Sequence, residues 1–295
     1  MVIAIPAAIA AGLCFAVAGV LQQDVASRRP DEEELTGRLL VRLARRRRWL
    51  AGIGVALLSY AFQALALRFG PLALVQPLIV TEVVFALPLS VRLHGMRLGG
   101  REWLGAGGVT AGLALAIVSS NPHGGHPLAS SPLGWLVTLS GVAVLGAAGT
   151  FVGMRVGGTL RASLLAFTAA LILGMQSALL DATVALFSKG LVPALTSWQP
   201  YLMGVASIGG LLFIQSAFQA GPLASSMPVV DATEPTTAVV IGLALFGEVV
   251  SVGTWALLGT AFGILMAVAG IVTLDTSPVI HRLQRVERSE RDEPT

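Results

Sequence analysis

Four carboxylates stand where ionised groups cost most. Glu82, Asp181, Asp231 and Glu234 each fall inside a long apolar stretch, and no Lys, Arg or His lies deep in any such stretch. An ionised acid at the centre of a membrane helix costs about 2.5–3.5 kcal/mol on insertion scales, so each must face a polar cavity or hold a proton. With no buried base to neutralise them, the cavity they face is electronegative. It favours a cation, a protonated amine or a proton over an anion.

Asp231 and Glu234 are three residues apart and share a helix face. Around them the chain reads Ser225-Ser226-Met227-Pro228-Val229-Val230-Asp231-Ala232-Thr233-Glu234-Pro235. Pro228 and Pro235 each remove a backbone donor, which predicts a broken helix whose freed carbonyls need partners. Ser225, Ser226 and Thr233 can supply some of them and could line a pathway. Asp231, Glu234 and Glu82 are the candidate substrate or ion site, and the metal ligands if the ion is Mg²⁺. Asp181 lies nearer one end of its stretch. With Gln63, Gln176, Gln215 and Gln219 it could mark the route to that site, although interhelical hydrogen bonding is the plainer use of the glutamines.

Other chemistry is missing. His94, His123, His126 and His281 fall between the apolar stretches or in the tail, so no zinc helix with paired histidines is present. No phosphate-binding GxxxxGK[ST] loop occurs. The expectation is therefore no enzyme and no cofactor. His123 and His126 could hold a metal weakly, but a flexible solvated loop is the simpler expectation. Cys14 is the single cysteine and cannot form an intrachain disulfide.

The elements that carry these residues are membrane spans. Of 295 residues, 55% are hydrophobic and 12% charged, against roughly 45–50% and 25% in soluble domains. That excludes a soluble enzyme, a nucleic-acid binder and a disordered chain. A bilayer core of about 30 Å needs roughly 20 apolar residues per helix. Nine stretches qualify: 2–22, 49–67, 71–92, 103–120, 132–154, 163–187, 200–219, 223–246 and 252–274. The first lacks a basic leader region and a clear cleavage site, and reads as a retained helix rather than a signal peptide. The fold class is thus all-α, a polytopic membrane protein of nine spans.

The bases orient it. With the N-terminus outside, 17 of the 19 fall on inner segments, and only Arg68 and Lys189 face out. This asymmetry is the positive-inside pattern, and it predicts N-out and C-in in a bacterial inner membrane. The basic loop 23–48 carries Leu35, Leu39, Leu40 and Leu43 among its arginines. That spacing could lay an amphipathic helix on the inner face. The tail 275–295 alternates charges and reads as solvated.

Sliding the chain by 151 residues brings it onto itself. Gly70-Pro71-Leu72-Ala73 falls on Gly221-Pro222-Leu223-Ala224, Pro77 on Pro228, and Gly108 and Gly112 on Gly259 and Gly263, without a gap. Glu82 falls on Thr233, beside Glu234. The repeat relates 49–120 to 200–274; span one then pairs with span six, and 132–154 joins the halves. Five spans separate the copies, an odd number, so they run in opposite directions. Inverted repeats characterise many secondary transporters, with the site near the midplane where the halves meet. The glycine pairs permit close helix packing, within the monomer or at a homodimer seam.

These features resemble the drug/metabolite transporter superfamily over about residues 2–274. Within it, Phe69-Gly70-Pro71-Leu72-Ala73-Leu74-Val75-Gln76-Pro77-Leu78 and Gly12-Leu13-Cys14 look most like the NIPA-type magnesium transporters. The resemblance implies a membrane transporter and Mg²⁺ as a substrate. It carries no site residue; Glu82, Asp231 and Glu234 rest on the residue-level argument. The expectation is a secondary transporter of a small, cationic solute, with Mg²⁺ favoured and protons as a coupling ion. A proton-coupled drug or metabolite exporter is the alternative, and a non-transporting scaffold or lipid-binding membrane protein is the second.

Overall fold

The computed structural model of the chain describes residues 2–26, 40–41, 43–93, 99–220 and 223–276. Most of the basic loop, most of the tail, and Gly221 and Pro222 lie outside the described residues, so the amphipathic-helix expectation falls largely beyond them. The described chain is almost entirely helical. Its helices are α1 (Ala4–Ala26), α2 (Arg47–Phe69), α3 (Leu72–Ile79), α4 (Glu82–Leu93), α5 (Gly100–Ser120), α6 (Pro132–Gly153), α7 (Gly158–Lys189), α8 (Leu191–Thr196), α9 (Gln199–Ala220), α10 (Leu223–Ala244) and α11 (Thr254–Asp275). Seven of them, α1, α2, α5, α6, α7, α9 and α11, are long and apolar enough to cross a membrane. Large apolar side chains such as Leu133, Leu136, Val144, Trp255, Phe262 and Leu265 stand exposed on α6 and α11. An apolar exterior of this kind is what a lipid-facing surface requires, and the chain is a multi-pass membrane protein.

The most extensive helix pair is α5 with α11. A Cβ built at Gly112 would lie 2.5 Å from the Gly263 carbonyl oxygen and 2.5 Å from the Ala267 nitrogen. One built at Gly263 would lie 2.6 Å from the Gly112 oxygen and 2.6 Å from the Ala116 nitrogen. Only glycine allows that approach. Gly105 meets Gly270 at one end of the contact and Ser119 meets Gly259 at the other, so the two helices run antiparallel. Gly108, Gly112, Gly259 and Gly263 therefore pack within one chain.

α7 forms the centre of the rest. At 32 residues it is about 48 Å long, well beyond a hydrocarbon core. It packs against α6, α9 and α10. α1 lies along α2 and also touches α3 and α4. Ala8, Ala11, Leu72, Val75, Ala178 and Leu179 make a core common to α1, α3 and α7.

Two expectations are corrected. The helix predicted to break is continuous: α10 runs through Pro228 and Pro235. Thr236 and Thr237 donate their hydroxyls to the carbonyls of Ala232 and Thr233, at 2.6 and 2.8 Å, the turn-back bonding by which threonine bends a helix without ending it. The break lies instead in 71–92, where α3 stops at Ile79 and α4 starts at Glu82. The loop at His123 is also structured. β1 (His123–Gly124) pairs antiparallel with β2 (Glu248–Val249). His126 N–H donates to the Phe246 carbonyl at 2.8 Å, and Ser251 N–H to that of Ser120 at 2.7 Å.

Candidate functional site

The break in the third apolar stretch makes a helix end inside the bundle. Thr81 closes α3 with its hydroxyl on the Leu78 carbonyl at 2.6 Å, and Val84 N–H donates to the Thr81 carbonyl at 3.0 Å. Glu82 therefore opens α4 in its first turn, where unpaired backbone N–H groups and the helix dipole favour a negative charge. α1 makes room for the break through Gly12. A Cβ there would lie 2.8 Å from the Ile79 carbonyl oxygen and 3.2 Å from the Glu82 nitrogen.

Opposite stands α10. Glu82 is within electrostatic reach of both Asp231 and Glu234. All three acids are only partly exposed, and Asp231 also has a further partner. Glu234 is held against α7 at Gly174, where a Cβ would come within 2.7 Å of the Glu234 carbonyl oxygen. A glycine on α1 and a glycine on α7 thus seat the two acid-bearing segments in like manner. Two carboxylates of α10 thus act electrostatically on Glu82. No group of three or more His, Cys, Asp or Glu close enough to hold a metal ion occurs among the described residues. The three acids therefore do not form a closed shell around a bare ion.

Tyr60 is a member that sequence reasoning missed. It lies on α2 within electrostatic reach of Glu234 and Glu82, with its ring edge-on to Phe15 at 5.1 Å. Its one signal was a phenol in the middle of an apolar stretch of a chain with two tyrosines.

The other singled-out residues divide between two regions. Gln63 on α2 donates to Ser177 Oγ on α7 at 3.1 Å. Asp181, one turn further along α7, is 7% exposed and faces Glu248. Gln215 donates to Gln22 Oε1 at 3.1 Å, while its own oxygen and both amide atoms of Gln219 have no protein partner. Gln176 Oε1 and Gln76 Nε2 also lack one. Ser226 is fully buried with a partner, Thr233 is partly buried, and the Ser225 side chain lies outside the described residues. Buried amides without partners are costly in an apolar medium, and water or a polar solute would satisfy them.

Two further acids escaped notice because they fall between apolar stretches. Glu102 is 3% exposed and accepts from Gly99 N–H at 2.7 Å. Glu248 is 6% exposed and reaches α3. Burial pushes its carboxyl above the ordinary glutamate value, and the N–H groups of Ala73 and Leu72 pull it back only in part. A cavity of about 520 Å³ opens elsewhere, between α6, α7 and α9, beside Trp135, Lys189 and Trp198. None of the acids lines it.

Among known proteins, the chain is 32% identical over 278 residues to an uncharacterized protein of Corynebacterium glutamicum, a match covering 90% of this chain and 92% of the relative. No family model matches it. No solved structure matches it either.

Proposed function

We propose that this chain, which belongs to the same family as the Corynebacterium glutamicum protein, is a secondary transporter that moves a small cation across a bacterial inner membrane by alternating access. Mg²⁺ is the favoured substrate, in keeping with the resemblance to the NIPA-type branch of the drug/metabolite transporter superfamily. The observation that carries this reading is that Glu82, from the first repeat, lies within electrostatic reach of Asp231 and Glu234, from the second.

Two further features support it. Seven long apolar helices place the chain in a membrane, and we read α3–α4 and α10 as two further spans, giving nine, N-out and C-in. The antiparallel contact of α5 with α11 joins residues that the 151-residue repeat makes equivalent, as an inverted pair requires. Rocking the halves about that seam would open the acids to each side in turn. Mg²⁺ sheds water reluctantly and is commonly held by one or two carboxylates with several retained waters. Three acids near one another, yet too far apart to share a bare ion, suit a hydrated one.

The second reading, a proton-coupled exporter of an organic cation or metabolite, draws on that same spacing and on Tyr60 beside the acids. Carboxylates beside a phenol could pass protons without binding metal.

Calorimetric titration of purified protein with Mg²⁺ separates the two. Saturable binding weakened about tenfold or more in Asp231→Asn and in Glu234→Gln, a change of ~1.4 kcal/mol, fits the Mg²⁺ reading. Binding unchanged by either substitution sinks it.

A further inference from the structure

Glu248 has no place in the cation site, yet it is tied to the helix that leads there. Its Oε1 accepts from Leu72 N–H at 2.6 Å and its Oε2 from Ala73 N–H at 2.8 Å. These are the opening donors of α3, whose N-cap is Pro71 and whose first turn has no side-chain cap of its own. A residue 176 positions away in the chain supplies the cap. Carboxylate-to-backbone bonds of this kind are stronger than neutral ones, and the helix dipole adds to them.

The carboxylate is also walled in. A Cβ at Gly125 would lie 2.7 Å from the Glu248 side chain, and one at Gly242 would lie 2.6 Å from it. Gly125 has φ +92°, a conformation that side chains rarely adopt. The β1–β2 pairing fixes the backbone of Glu248, and Ser130 Oγ on the Leu245 carbonyl at 3.0 Å fixes the segment before it. Asp181 faces the same carboxylate from α7.

α3 is the element that this arrangement holds. It is an eight-residue helix, about 12 Å long, bounded by Gly70-Pro71 on one side and by the 80–81 break on the other. Glu82 follows the break directly.

We propose that Glu248 is the outer latch of the transport cycle. Bonded to Leu72 and Ala73, it keeps α3 shut over Glu82; released, it lets α3 swing about the break and opens the acids to that side. This rests on the transporter reading and deepens it: Glu248 is a positioning residue that acts through α3 and does not touch the cation.

The test reads access rather than transport. In a Cys14→Ser background, Gln76→Cys places a thiol on α3 one turn from Ala73, at a position that is 2% exposed. Its reaction with a membrane-impermeant methanethiosulfonate is followed in right-side-out and inside-out vesicles. With Glu248 intact, labelling is slow from both sides. Glu248→Ala removes both acceptors and raises the rate about tenfold or more, an effect of ~1.4 kcal/mol on the opening equilibrium, from the β1–β2 side alone. Glu248→Gln keeps one acceptor and raises it less. A Glu248→Ala protein that elutes as a folded species and labels at the parent rate overturns the latch, and so does a rise equal from both sides. Should Glu248→Ala not fold, an unchanged rate in Glu248→Gln overturns it equally. Gated labelling without any cation flux would keep the latch and sink the transport reading; full flux without gating would do the reverse.

Discussion

Gly112 and Gly263 touch backbone to backbone, and each meets in the other the residue 151 positions from itself. Their second neighbours agree: Gly112 meets the Ala267 nitrogen, Gly263 meets the Ala116 nitrogen, and Ala116 and Ala267 are again 151 apart. At the rim, Gly108 meets Gly270 while Gly259 meets Ser119, which is one more equivalent pair. Reciprocity of this kind is the mark of a two-fold contact, in which residue i meets j and j meets i. Here it arises inside one chain.

The contact predicts symmetric damage. Gly112→Ala and Gly263→Ala each force a methyl into backbone atoms, and each should destabilise the protein by about 1–3 kcal/mol, the usual cost of overpacking. Gly107→Ala lies on the same helix with nothing within 4 Å of its Cβ, and should be neutral or stabilising by about 1 kcal/mol from helix propensity. Thermal unfolding of the three variants in detergent checks this. Equal melting temperatures would mean that the seam adds nothing to stability.

Gly12 and Gly174 make a second prediction, on function instead of stability. Each lets an acid-bearing segment approach a neighbouring helix to within a methyl's width. Gly12→Ala and Gly174→Ala should therefore lower cation flux about tenfold without touching a carboxylate, since small misplacements in a site are costly. Flux in each variant, normalised to the amount reconstituted, gives the answer. Wild-type rates in both would show that the spacing of the acids tolerates displacement.

Glu248 yields a dependence on pH. Its native pKa is raised above the glutamate value of the unfolded chain, chiefly by burial. Between those two values the folded protein keeps a proton that the unfolded chain has lost. Its contribution is therefore fully present below the unfolded pKa and lost as pH rises through the native one. The melting temperature should fall with rising pH above about pH 4, and should fall less steeply in Glu248→Gln. Parallel curves for the two proteins would remove Glu248 from the account.

The four acids inside apolar runs, the glycine pairs and the matched Gly-Pro motif are legible in the sequence, because a charge in an apolar run and a motif repeated at one offset stand out without a structure. What was hidden depends on neighbours. Proline content pointed to a break in α10, yet that helix runs on through Pro228 and Pro235, and the break that does occur follows Ile79, where Gly12 of α1 lies close against it. Glu248 and Glu102 look like solvated acids between spans, and only the structure shows that both are buried. Tyr60 offers only a phenol within an apolar stretch, and its place beside Glu82 and Glu234 shows only once α2 is packed.

On the transport reading proposed above, a cation crosses the membrane through Glu82, Asp231 and Glu234. Its most direct test is Mg²⁺ flux into proteoliposomes, with and without an imposed pH gradient, in wild type, Asp231→Asn and Glu234→Gln. Saturable flux is expected in wild type, with a loss of about tenfold or more in each variant, ~1.4 kcal/mol, and the variants still eluting as folded protein. Flux that is equal in all three would contradict it.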